Sequence, residues 1–217
     1  TEYETNPDLL DWVMVYQDGA HRNHLAGAMV YFSAERFKEA NIIKRLSELE
    51  AIQRHIAQKT IGWDKARRRI MPFLMDWLID EIRICLFFEN FMKAELLDKG
   101  FVIHYIHDPS HRKGSNAALL RKEQKERPIP STRLVTEGMT NAELQPKTLT
   151  MDLMFRLKYQ AVIDIPTDVL AVVRRINESR NKLHFTSEVG GELSIKLVND
   201  LKLLDAFVDL QLTRIGP

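Results

Sequence analysis

The chain predicts an all-α fold, a bundle of about six to eight helices. Apolar residues recur at three- and four-residue spacing through most of its 217 residues. Residues 73–97 are apolar on nearly every side, which requires a central helix covered by several neighbours. Glycine and proline stand between the periodic stretches, where helices must end. A hydrophobic content of 45% is enough for a sizeable core, and 28% charged residues is ordinary.

Taken in order, Pro7 to Val13 suggests a short helix, with a break at Asp18-Gly19. Leu25, Ala28, Met29 and Phe32 open a long pattern that Ile42, Ile43, Leu46, Leu49, Ile52 and Ile56 continue. This reads as one helix, or two with a kink near Ala40-Asn41, ended by Gly62; Asp64 is positioned to cap the next helix. Residues 73–97 follow, with Gly100 as the C-terminal cap. Phe101 to Ile106 permits a short strand, but a lone strand needs a partner, so a helix or extended link is favoured. Pro109 and Pro128-Ile129-Pro130 mark loops. Residues 149–162 read as a helix ended by Pro166, and Thr167 or Asp168 as the cap of the next. Gly190-Gly191 breaks the chain before a last helix over 192–212, with Leu197, Leu201, Leu204 and Val208 on one face. The domain reading is an N-terminal helical region, 1–62, and a helical core, 63–217.

The formal net charge of +1 gives no global attraction to nucleic acid or membrane. Locally, residues 109–134 hold seven cations against two anions, a formal +5. Arg112, Lys113, Arg121, Lys122 and Arg127 are therefore candidate phosphate contacts, as is the Arg67-Arg68-Arg69 triplet; the plain alternative is solvated charge. Asp76, Asp80, Glu81, Arg83 and Glu89 interrupt the apolar stretches, so no membrane span is expected. The single cysteine, Cys85, reads as an inert packed thiol and fits a reducing, cytoplasmic setting. No signal-peptide pattern is visible. His104, His107 and His111 have spacings that suit a metal, but scattered loop histidines are the simpler reading and no metal or cofactor is expected. Trp12, Trp63 and Trp77 read as core or interface anchors and not as stacking platforms, with Trp63, next to Gly62, open to exposure.

The most informative segment runs from Arg174 to Phe185. Val169, Val172, Val173, Ile176 and Leu183 form one helical stripe; Arg180 falls inside it and His184 at its edge. A guanidinium facing a core is costly unless paired or used. Asn177, Ser179 and Asn181 extend the polar group, and two such helices meeting across a two-fold axis would satisfy each other.

The run Ile176-Asn177-Glu178-Ser179-Arg180-Asn181-Lys182-Leu183-His184 resembles the signature of the HEPN superfamily, and Phe88 to Gly100 resembles the earlier core helix of those all-helical proteins. The resemblance covers about half the chain. It implies a HEPN-like core with an N-terminal helical extension, a homodimer with the motif helices facing each other and, in active members, metal-independent RNA cleavage. In that scheme His184 relays a proton at the ribose 2′-hydroxyl or the leaving oxygen. Arg180 holds the scissile phosphate. Asn181 gives polar support, with Asn177 beside it, and Glu89 or Asn90 orients Arg180. Glu89 also stands four residues before Lys93, the spacing of a simple helical ion pair. The family analogy further implies RNA as substrate and an antitoxin or other partner protein in a defence setting. Only three residues separate Arg180 from His184, a shorter gap than is usual in that family, so a non-catalytic dimerisation or binding module stands as the alternative. A small-molecule sensor is a third reading.

Overall fold

The computed structural model describes residues 39–108, 114–139, 143–183 and 195–215. Among these, eight helices and one small two-stranded sheet are present, an all-α architecture as expected. In order they are α1 (Glu39–Ala57), α2 (Trp63–Asp98), β1 (His104–Ile106), α3 (Asn116–Gln124), α4 (Thr132–Thr136), β2 (Leu144–Thr148), α5 (Met151–Met154), α6 (Leu157–Gln160), α7 (Thr167–Leu183) and α8 (Ile195–Ile215). The chain forms two compact units: one takes residues 87–165, the other takes described residues up to 86 and from 166 onward. The helices expected before residue 39, Trp12 and the Gly190-Gly191 break lie outside the described residues.

The first unit begins with the C-terminal third of α2. Phe87, Phe88, Phe91, Met92 and Leu96 are fully buried or nearly so, with Phe87 edge-on to Phe88 at 4.9 Å between ring centroids. Gly100 ends the helix as expected. It takes φ +75°, a left-handed value that costs glycine least. Phe101 N–H then donates to the Leu96 carbonyl and Gly100 N–H to that of Leu97, the paired bonds of a Schellman cap.

The segment after Gly100 corrects the sequence expectation, because His104–Ile106 is a strand and it has a partner. It pairs antiparallel with Leu144–Thr148, a five-residue stretch whose proline and lysine hide any strand pattern. The far edge of β1 would face away from β2 unpaired. Gln124, 1% exposed at the end of α3, closes it. Its Oε1 accepts from Ile106 N–H at 3.0 Å and its Nε2 donates to the His104 carbonyl at 2.7 Å. One side-chain amide thus replaces a third strand. Tyr159 donates its hydroxyl to the Gln124 carbonyl at 2.7 Å, and burial pushes the Tyr159 phenol well above its ordinary value, so it stays a neutral donor. Val102, Ile106, Ala117, Leu120, Ile129, Leu134 and Met139 fill the space beneath. The helix expected over 149–162 is instead two single turns, α5 and α6, which break at Phe155-Arg156.

The second unit is built from α1, the first two thirds of α2, α7 and α8. Within it α7 packs on α8, and α8 on α1. Helix α1 is described from Glu39 and ends at Ala57, before Gly62; the stretch leading into Ala40-Asn41 lies outside the described residues. Asp64 lies in the first turn of α2, while the Gly62 carbonyl accepts the opening helical bond from Ala66 N–H. The Pro166 carbonyl does the same for α7, accepting from Leu170 N–H, so Thr167 and Asp168 are first-turn residues and not caps. Val169, Val172, Val173 and Ile176 are buried along one face of α7, and Leu201, Leu204 and Val208 along one face of α8, as their periodicity predicts.

Helix α2 departs from expectation in this unit. Met71, Met75, Ile79 and Ile82 are 39–52% exposed, whereas Asp80 and Glu81 are buried at 0% and 4%. Among the described residues, the acids lie on the covered side of the helix here and these four apolar residues on an exposed one.

The Gln124 arrangement generates a stability prediction. Gln124→Leu keeps the volume but strands the Ile106 N–H and the His104 carbonyl. We expect a loss of about 2–4 kcal/mol in urea unfolding and faster hydrogen exchange at Ile106; coincident unfolding midpoints would show that the amide does not close the strand edge.

Candidate functional site

Helix α7 turns its valine face inward over its first three turns and then changes character. Asn177, on the same face, is 2% exposed. Ser179, Arg180 and Asn181 are half-buried, while Arg174, Arg175 and Glu178 are exposed. The change follows from spacing: Val173, Ile176 and Arg180 are three and four residues apart, so Arg180 occupies a place that the period assigns to the interior.

Several arginines elsewhere in the chain meet carboxylates. Arg45 meets Asp80 at 3.0 Å, Arg133 meets Glu123 at 2.7 Å and Glu137 at 2.9 Å, and Arg175 meets Asp200 at 2.6 Å. Arg180 meets none among the described residues. Its hydrogen bond there runs from Nη2 to Asn181 Oδ1 at 3.3 Å, a neutral partner. A half-buried guanidinium left in this state keeps most of its five donors available to an anion.

Sequence reasoning missed the acids that support this segment. Asp80 and Glu81 registered only as interruptions of an apolar run, yet both point inward. Asp80 is held by Arg45 of α1. Glu81 accepts from Trp77 Nε1, one turn earlier, at 3.0 Å. Ser179 of α7 interacts with the same carboxylate, while Glu81 Oε2 has no hydrogen bond of ordinary length among the described residues. Burial holds the Glu81 carboxyl above its ordinary 4.5, against the opposing hydrogen bonds from Ser179 and Trp77. The usable signal was the adjacency of two acids inside a helix otherwise rich in Ile, Leu and Phe.

The predicted site residues are placed as follows. Arg180, Asn181 and Asn177 share α7; His184 lies outside the described residues. Glu89 accepts from Lys93 Nζ at 2.7 Å, the i,i+4 pair that its spacing allowed. Glu89 and Asn90 belong to the unit of residues 87–165 and Arg180 to the other. In the basic segment Arg112 and Lys113 lie outside the described residues, Arg121 and Lys122 are exposed on α3, and Arg127 is bound to Glu123 at 2.7 Å. Glu123 is also bound by Arg133, so much of this charge is neutralised locally. Cys85 is fully buried. Trp63, by contrast, is 67% exposed and is no core anchor. His111 lies outside the described residues, among which no group of histidines, cysteines and acids is arranged to hold a metal. No helix among them is long and apolar enough to cross a membrane.

Comparison with protein-family models, with curated proteins and with solved structures finds no match.

The buried Glu81 makes stability depend on pH with a definite sign. Its folded-state value is raised, so between about 4.5 and that raised value the folded chain binds more protons than the unfolded chain. Stability therefore falls as pH climbs through that window and is flat above it. Glu81→Gln keeps the acceptor for Trp77 and removes the charge. Its melting temperature should match or exceed that of the parent at neutral pH and lose this part of the decline. A parallel pair of Tm–pH curves would count against the burial of a titrating Glu81.

Proposed function

We propose that this chain is a HEPN-like, dimeric, RNA-directed protein in which Arg180 and His184 act together on a phosphodiester. The observation that supports it is the state of Arg180: half-buried, on an inward face, with a neutral partner and no carboxylate among the described residues. A guanidinium with its charge uncompensated by protein is suited to a phosphate, which it can grip with two parallel hydrogen bonds. Ser179, interacting with buried Glu81, braces the helical turn from which Arg180 projects. In the reaction the imidazole of His184 moves the proton between the 2′-hydroxyl and the leaving oxygen, while Arg180 stabilises the charge that gathers on the phosphorus oxygens. Asn181 restrains the guanidinium, and no metal takes part in these steps. The test is RNA cleavage in EDTA. Arg180→Ala and His184→Ala should each reduce the rate at least ~10²-fold. Wild-type activity with an undiminished His184→Ala variant would remove His184 from the mechanism.

A second reading, a non-catalytic dimerisation module, is favoured by the exposed stripe of Met71, Met75, Ile79 and Ile82, which recurs at helical spacing along α2. On that reading the occupant is a second copy of the chain. Met75→Glu combined with Ile79→Glu should then convert a dimer to a monomer in sedimentation, with the helical circular dichroism unchanged. A parent chain that sediments as a monomer at tens of micromolar, or a dimer indifferent to both glutamates, would set this reading aside.

A further inference from the structure

The corner between α1 and α2 carries a charge that the α7 site does not use. Residues 54–69 hold six cations, Arg54, Lys59, Lys65, Arg67, Arg68 and Arg69, against one anion, Asp64, a formal +5. All six are exposed, and none has an ion pair with a carboxylate among the described residues. The basic segment around α3 differs in this respect, since Glu123 and Glu137 tie down its arginines. Amid the corner cations stands Trp63, 67% exposed, with Arg67 one turn further along the helix.

The backbone adds an independent observation. Helix α1 ends in a Schellman cap in which Thr60 N–H donates to the His55 carbonyl and Lys59 N–H to that of Ile56. The left-handed residue of the cap is Lys59, at φ 55°, where glycine is the unstrained choice. A lysine held at this φ places one more cation at the corner against the conformational preference of the backbone.

We propose that this corner binds single-stranded RNA, with the Trp63 indole as a stacking platform for a base and the surrounding cations tracking the phosphates. Stacking on an indole needs an unpaired base face, which a duplex does not offer. Successive arginines on a helix point about 100° apart. Arg67, Arg68 and Arg69 therefore span an arc of about 200° around the helix, and a flat membrane could meet only part of that arc, whereas a flexible strand can follow it. Asp64, the one anion of residues 54–69, stands between these cations and sets a limit on how closely phosphate approaches its face. The choice of RNA as ligand rests on the reading of Arg180; the surface itself is separate from that site.

The test uses the 217-residue chain and a labelled single strand of ~20 nucleotides, 2′-O-methylated so that it cannot be cut through its 2′-oxygen. Binding is followed by anisotropy over a range of salt. Arg67→Ala with Arg68→Ala should weaken binding about tenfold and lower the slope of log K against log salt by about 1.4. Trp63→Ala should cost about tenfold and Trp63→Phe much less. Lys59→Gly should weaken binding without lowering Tm. Arg180→Ala should lose cleavage of unmodified RNA, and Trp63→Ala added to it should still cost about tenfold in binding this strand, as two separate surfaces require. Wild-type binding that survives every corner variant overturns the corner and leaves the Arg180 reading standing. Absence of any RNA binding overturns both, and so does Trp63-dependent binding to phosphatidylserine vesicles by a chain that ignores RNA.

Discussion

The structure of the α7-bearing unit depends on the inward placement of two adjacent carboxylates, Asp80 and Glu81, in the middle of α2. Removing a carboxylate from water costs several kcal/mol even after relaxation, so each must be met by a partner. Neighbouring helix positions lie about 100° apart, and the partners accordingly come from different directions. Asp80 takes Arg45 from α1 at 3.0 Å; Glu81 takes Trp77 from its own helix and Ser179 from α7. These contacts fix the rotation of α2 about its axis. The covered side of α2 also buries Ala66, Ile84 and Cys85, while Met71, Met75, Ile79 and Ile82 remain outside. Apolar burial and the polar contacts therefore select the same orientation of α2. A buried ion pair contributes little net stability but is expensive to break from one side, about 3–5 kcal/mol where one charge is left alone. Such a pair specifies an arrangement more than it strengthens one.

The same constraint reaches the candidate site. Ser179 interacts with Glu81 and Arg180 follows it, so the helical turn that presents the guanidinium is attached to the best-buried acid of the unit after Asp80. Arg180 and Arg175 leave α7 only five residues apart and differ in their chemistry. Arg175 ends on Asp200 of α8, and its charge is spent on holding two helices together. Arg180 ends on the amide oxygen of Asn181, which orients a guanidinium without neutralising it. An arginine that serves the fold is expected to look like the first, and one that serves a phosphate like the second.

How much of this the sequence revealed follows the range of the interactions. The α7 stripe was readable because Val169, Val172, Val173 and Ile176 repeat at the helical period, and a polar group inside that stripe announces itself. The cap at Gly100 was readable for the same reason: its bonds close within six residues. The β1–β2 pair was not, since the partner of His104 is Thr148, 44 residues on, and the far edge is closed by a glutamine side chain that resembles any other surface amide in sequence. Glu81 was hidden by a related ambiguity. An acid in an apolar helix can face water or face a donor on another helix, and only the packing of α7 decides which. Trp63 ran the other way, because an aromatic residue beside Gly62 carries no mark that separates an anchor from an exposed platform.

A division of labour follows from where these features stand. The corner cations are exposed and meet no carboxylate among the described residues, so their attraction for a polyanion acts over about 8–10 Å and weakens with salt. The Arg180 guanidinium is half-buried, where lower effective polarity strengthens a contact at short range and screening matters less. On the proposed reading, the first kind of charge would raise the encounter rate and hold a strand with equal strength before and after a bond is cut. It would lower KM without raising kcat, since uniform binding does not discriminate the transition state. The second can respond to charge that appears only as the phosphodiester reacts. On the proposed RNA-directed reading, a protein of net charge +1 has no bulk attraction for RNA, so binding would have to come from a local concentration of cations such as residues 54–69 provide, and chemistry from a cation such as Arg180 that no carboxylate among the described residues neutralises.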